Sequence, residues 1–216
     1  MGLLRLLLND PVTFILLSIP LLYSIIIHEL AHGWVAYKMG DPTAKRLGRL
    51  SLNPLKHLDP IGTLMLFVVG FGWAKPVPVN FSNLRGSRKG IVFVSAAGIA
   101  ANTLLAFTAV LLSRLLSPSP TGVLAPLLYY MAQVNIMLAA FNLIPIPPLD
   151  GSHVFFYFIR VRDSVSFQVF QFLERYGFFL IIILIYTDVL GRYYLWPVIA
   201  TALRVISFVF QIRILM

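Results

Sequence analysis

Four histidines and two glutamates are spread over 216 residues, and three of these six fall within five positions, His28-Glu29-Leu30-Ala31-His32. On a helix, positions i and i+4 share a face, so both imidazoles can bind one zinc ion while the intervening glutamate takes a proton from the metal's water. With so few histidines and glutamates, the pattern is expected by chance in about one such sequence in a thousand. The five residues also lie inside a long apolar run, 12–37. A charged side chain near a bilayer centre costs about 2.5–3.5 kcal/mol or more, and a metal offsets that cost. A polar patch for helix–helix hydrogen bonding or proton passage is the plainer alternative.

A hydrolytic zinc site uses three protein ligands and an open position for water. Glu174, Asp163, Asp188 and Asp10 lie near the ends of apolar runs without a supporting pattern. His57 and Asp59 sit in a basic loop, where His57 reads better as a loop-stabilising residue than as a ligand. Asp150 is the best third ligand. It ends the proline-broken stretch Asn142-Leu-Ile-Pro-Ile-Pro-Pro-Leu-Asp-Gly151, whose prolines force the chain out of helix. A kinked chain can turn a carboxylate back toward His28, and Gly151 permits close backbone approach. His153, three residues on, is a candidate for orienting Asp150. Asn102, in a small-residue helix, reads equally as a helix–helix hydrogen-bonding group and as part of the site.

The elements that must position these residues are apolar. Hydrophobic residues make up 59% of the chain and charged ones 12%, about half the ~25% usual in soluble domains. Five runs, 12–37, 91–116, 123–144, 167–187 and 193–213, predict an all-α polytopic membrane protein with about five transmembrane helices. The run 61–69 is too short to span. Beyond it, the Val/Pro alternation of Gly70–Val79 predicts a short membrane-associated β-hairpin or edge strand, since proline tolerates only edges. Residues 152–163 predict a short helix ending in Arg160, Arg162 and Asp163. The whole of 1–216 reads as one integral-membrane domain, with the zinc-site core at about 12–155 and extra C-terminal spans at about 167–213. The first run is too long for a cleavable signal peptide. With no cysteine, disulfide scaffolds, iron–sulfur clusters and thiol nucleophiles are excluded.

The net charge is +9, and residues 38–89 carry nine positive and two negative side chains, hence +7 of it. One basic segment between apolar spans marks a cytoplasmic face and argues against a nucleic-acid partner. The expected orientation puts the N-terminus, 117–122 and 188–192 outside, and 146–166 and the C-terminus inside.

The paired motifs HELAH and Asn142–Gly151 resemble those of the site-2 proteases, intramembrane zinc metalloproteases. Asn53-Pro-Leu-Lys-His-Leu-Asp-Pro-Ile-Gly62, Gly72-Trp-Ala-Lys-Pro-Val-Pro-Val79 and Gly98-Ile-Ala-Ala-Asn102 resemble the compact prokaryotic form without PDZ or CBS domains. The resemblance spans roughly 20–155. It implies zinc held by His28, His32 and Asp150, with Glu29 as catalytic base and Asn142 holding substrate backbone. Gly70 and Gly72, in the expected edge strand, are further substrate-binding candidates, with Asn102 and His153 behind the ligands. Two positions depart from the family pattern: Ile99 stands where proline usually follows glycine, and Ser152 where glycine often follows LDG. The implied function is hydrolysis of peptide bonds in transmembrane segments of other proteins, at a prokaryotic cell membrane with the site opening to the cytoplasm. That activity serves either the release of regulators or the clearance of signal-peptide remnants. A zinc or proton transporter and a catalytically idle membrane scaffold are the rival readings. The former calls for a second polar station, and the later spans offer none.

Overall fold

A computed structural model of the chain describes residues 3–86, 88–116, 119, 122–159 and 164–210. A short helix α1 (Leu3–Asn9) precedes α2 (Pro11–Lys38). The Asp10 side chain caps α2 by accepting from the Thr13 amide at 3.0 Å, and Pro11 opens it with a φ already suited to helix. Among the described residues, four helices are long and apolar enough to cross a membrane: α2, α5 (Arg88–Leu116), α6 (Leu124–Asn142) and the Phe167–Tyr186 part of α8 (Ser164–Tyr186). All four fall where the sequence predicts spans. The fifth expected span, 193–213, begins as a π-helical turn, Gly191–Leu195, and continues as α9 (Trp196–Phe210). Its last three residues, with Arg213, lie outside the described part, as do Arg160, Arg162 and Asp163.

The centre of the molecule is the three-helix packing of α2, α5 and α6. On α2 the buried positions Leu16, Pro20, Ser24, His28, His32 and Ala36 recur every four residues. On α5 the buried Ser95, Gly98, Asn102, Ala106 and Ala109 form a facing stripe of small and polar residues. Small side chains let backbones approach closely where lipid supplies no hydrophobic drive for association. Outside this trio, α9 packs Ile199 and Leu203 against Ala106 and Ile136.

Residues 39–86 differ from expectation. They contain α3 (Thr43–Arg46), α4 (Pro60–Val68) and two single 3-10 turns, Pro54–Lys56 and Phe81–Asn83. The hairpin does not form: among the described residues there is no strand, only one isolated antiparallel bridge, Leu58 to Ala74, with the Lys75 amide donating to the His57 carbonyl at 2.8 Å. Pro76 and Pro78 have no N–H to give a ladder. The neighbouring backbone groups are taken by side chains instead. Arg49 Nη2 donates to the Lys75 and Pro76 carbonyls at 2.9 and 3.1 Å, and the Val77 amide donates to Glu29. Gly70 and Gly72 serve this geometry. Gly70 ends α4 with φ +88°, and a Cβ on Gly72 would lie 2.1 Å from the Gly62 carbonyl oxygen.

The chain leaves helix after Asn142, crosses the prolines and re-enters helix at Asp150, the first residue of α7 (Asp150–Ile159). Gly151 allows this: its Cβ would sit 2.4 Å from the Leu143 carbonyl. Ser152 is fully buried and donates its hydroxyl to the Leu149 carbonyl at 2.7 Å.

Candidate metal centre

His28 and His32 stand one turn apart on α2, both buried, at 7% and 8% exposure. Asp150 reaches them from α7. The Asp150 Oδ2 lies 3.1 Å from Nε2 of His28 and 3.1 Å from Nε2 of His32, and the two Nε2 atoms are 3.0 Å apart. Two atoms from one turn of α2 and a third from far along the sequence thus form a nearly equilateral triangle. Among the described residues this is the one cluster of His, Asp or Glu with the form of a metal site.

The hydrogen bonds behind the triangle show what these atoms offer. His32 Nδ1 lies 2.7 Å from the Val94 carbonyl, which only accepts, so Nδ1 carries the proton and Nε2 keeps its lone pair. His28 Nδ1 lies 2.5 Å from Asn102 Oδ1, and the same reasoning leaves its Nε2 bare. Asp150 Oδ2 is buried without a hydrogen-bond donor. With both imidazoles neutral, three lone pairs converge within 3.1 Å, an arrangement that repels unless a cation occupies it. Tetrahedral zinc with bonds of about 2.0–2.1 Å holds its ligand atoms about 3.3 Å apart. Two neutral imidazoles and one carboxylate on a divalent cation leave a net positive charge and a fourth position for water. The residues fit the metal.

Gly98 of α5 completes the cradle. A Cβ there would lie 2.4 Å from His28 Cε1 and 2.4 Å from His32 Nε2, so only glycine lets α5 lie against both rings. Glu29, between the two histidines, is half-buried, and its Oε2 accepts from the Val77 amide at 2.8 Å. The carboxylate is thereby tethered to the extended 70–79 segment.

The segment itself is held at its far end by Asp41, which is fully buried just beyond α2. Asp41 accepts from the Asn80 amide at 2.7 Å, from Asn83 Nδ2 at 2.9 Å and from the Thr43 hydroxyl at 2.5 Å. Burial by itself raises the Asp41 pKa, but the Asn83, Thr43 and Asn80 donors outweigh it and hold the carboxyl below its ordinary value.

The other expected site residues are placed as follows. Asn142 ends α6 and donates its side-chain amide to the Leu138 carbonyl at 3.0 Å. Its carbonyl would meet a Cβ on Gly151 at 2.8 Å, which puts it beside the Asp150 loop. His153 stacks at a tilt on Phe81, ring centroids 5.8 Å apart. His57 is buried and bonded through Nε2 to the Ser51 carbonyl at 2.7 Å, a loop-stabilising role. Asn102 is fully buried behind His28. Sequence reasoning missed Gly98 as the cradle, Arg49 and Asp41 as anchors of the segment, and Asn135 and Ser24 behind Asn102. Ser24 had a signal: it precedes His28 by four residues on the same buried face.

The description "Peptidase family M50" belongs to the family whose model matches residues 118–184. The YwhC protein of Bacillus subtilis is 42% identical over 207 residues, covering 90% of this chain and 92% of its own. The Rip2 protein of Mycolicibacterium smegmatis is 29% identical over 192 residues, 84% of this chain and 70% of its own. MJ0392 of Methanocaldococcus jannaschii is 28% identical over 146 residues, 68% of this chain and 35% of its own. All three carry the words zinc metalloprotease in their names. No solved structure matches the chain significantly.

Proposed function

Because this chain belongs to peptidase family M50, the site-2 protease family of multi-pass zinc metalloproteases, we propose that it is an intramembrane endopeptidase acting on transmembrane segments of other proteins. The observation that carries this reading is the meeting of three bare donor atoms, from His28, His32 and Asp150, beside a glutamate. Zinc held there supplies an acidified water and a Lewis acid for the scissile carbonyl. The Glu29 carboxylate would take the water's proton as the carbonyl is attacked, and would then give it to the departing amide nitrogen. The Val77 N–H on Oε2 aims the carboxylate without neutralising it.

A helical substrate must unwind, since its carbonyls are held in i→i−4 bonds, and each backbone group freed in lipid costs several kcal/mol unless the enzyme pairs it. The backbone groups of Gly70–Val79 outside those bonded to Arg49, Glu29 and His57, together with the Asn142 amide, which both donates and accepts, are the groups suited to that pairing. The basic 38–89 segment supports a cytoplasmic opening. His28 lies ten residues before Lys38, or about 15 Å of helix, half of a hydrocarbon core of about 30 Å.

Zinc analysis together with cleavage of a transmembrane reporter, in liposomes, tests the proposal. The wild type is expected to hold one zinc per chain and to cut the reporter. Glu29→Gln should keep the zinc and slow cleavage by about 10²–10⁴-fold, while Asp150→Ala should lose both. Near-normal cleavage by Glu29→Gln would remove Glu29 as base, and absence of zinc from the wild type would remove the metal reading.

A further inference from the structure

An imidazole that ligates a metal through Nε2 needs its Nδ1 proton held by an acceptor. His32 uses the Val94 carbonyl, which cannot do anything but accept. His28 uses a side-chain amide, Asn102, whose two ends are opposite in character: Oδ1 accepts and Nδ2 donates, and half a turn exchanges them. Turned the wrong way, Asn102 would offer a donor to His28 Nδ1, strip it of its proton and place that proton on Nε2, inside the metal site. Some other group must fix the sense of Asn102.

Asn135, on α6, is that group. Its Nδ2 donates to the Met131 carbonyl at 2.8 Å and to Ser24 Oγ at 2.7 Å. The Met131 oxygen only accepts, so it fixes which end of Asn135 is nitrogen, and both N–H bonds are then spent. Oδ1 is left facing Asn102 Nδ2 at 2.8 Å. An acceptor there requires a donor, which turns Asn102 Oδ1 toward His28 Nδ1. Ser24 is 1% exposed and both asparagines 0%, so no water repairs a reversed bond.

We propose that Asn135 is a positioning residue which, through Asn102, sets the tautomer of His28 and so the zinc affinity of the site. This deepens the metal-centre reading and rests on it. One arm of its test needs no metal, so the two stand or fall separately.

The experiment uses the full chain in detergent micelles or nanodiscs, with 15N-labelled histidine. The NMR shift of His28 Nδ1 is measured without metal, and zinc affinity is measured by competition with a chelator. In the wild type His28 Nδ1 is expected to carry its proton. Asn135→Leu, close in volume but without the amide, frees Asn102 to turn. A population with bare Nδ1 should then appear, and zinc affinity should fall about 10–100-fold. Asn135→Asp, as a neutral acid, still donates to Met131 and accepts from Asn102, and should restore both readouts. A bare His28 Nδ1 in the wild type overturns the proposal whatever the variants do. So does Asn135→Leu with wild-type tautomer and affinity, or Asn135→Asp as impaired as Asn135→Leu, the mark of a merely structural role. A wild type that binds no zinc, yet whose His28 tautomer depends on Asn135, overturns the metal reading and keeps the positioning role.

Discussion

Gly98 carries an unusual burden for a residue without a side chain. In the middle of an apolar helix, alanine is ordinarily preferred by about 1 kcal/mol, but here a methyl group would occupy the space of both imidazoles. Gly98→Ala should therefore weaken both metal binding and the packing around the two buried rings. The variant is expected to unfold thermally earlier than wild type even when both lack metal, because overpacking outweighs the gain in helix propensity. Its zinc affinity should fall on the order of tenfold or more, as the rings are pushed off their Val94 and Asn102 partners. Chelator competition and thermal unfolding of the same samples check this, and unchanged zinc affinity would show that the rings tolerate the methyl. His28, Glu29 and His32 were legible in the sequence because their relation is local, one turn of one helix. Asp150 needed the proline stretch and the family resemblance. Asn135 was illegible because its role exists only where three helices meet.

Among the elements, the apolar runs foretold α2, α5, α6 and α8 to within a few residues, since bilayer thickness dictates their length. The 70–79 segment was misread because alternation describes the shape of a strand but not who takes its hydrogen bonds. Glu29 and Arg49 took them, from 48 and 26 residues away. The segment depends equally on Asp41, which gives it a pH dependence. A carboxyl whose folded pKa is depressed adds stability that is complete above its unfolded value, about 3.9, and disappears as pH falls through the folded one. Asp41→Asn is thus expected to unfold a few degrees earlier than wild type at neutral pH, with the gap closing below about pH 4. Thermal unfolding at both pH values checks the sign. A gap that persists undiminished in acid would show that Asp41 acts by shape alone.

At the scale of the whole molecule, the charge distribution sets an expectation for orientation that labelling checks. Ser82, exposed at the end of the basic segment, and Ser119, exposed between α5 and α6, lie on opposite ends of α5. With a cysteine at each position in turn, in a chain that has none, an impermeant thiol reagent added to intact cells should label Ser119→Cys and spare Ser82→Cys. The reverse pattern would invert the topology. The same long-range construction sets the order in which the protein becomes competent. His28 and Asp150 are 122 positions apart in the numbering, and at about 5–20 residues per second the ribosome adds the carboxylate roughly 6–24 s after the histidines. During that interval the nascent chain already presents α2 to the bilayer, but with only two of the three side chains of the candidate metal site. A metal site split between an early helix and a late one cannot be complete before the core of the molecule has assembled.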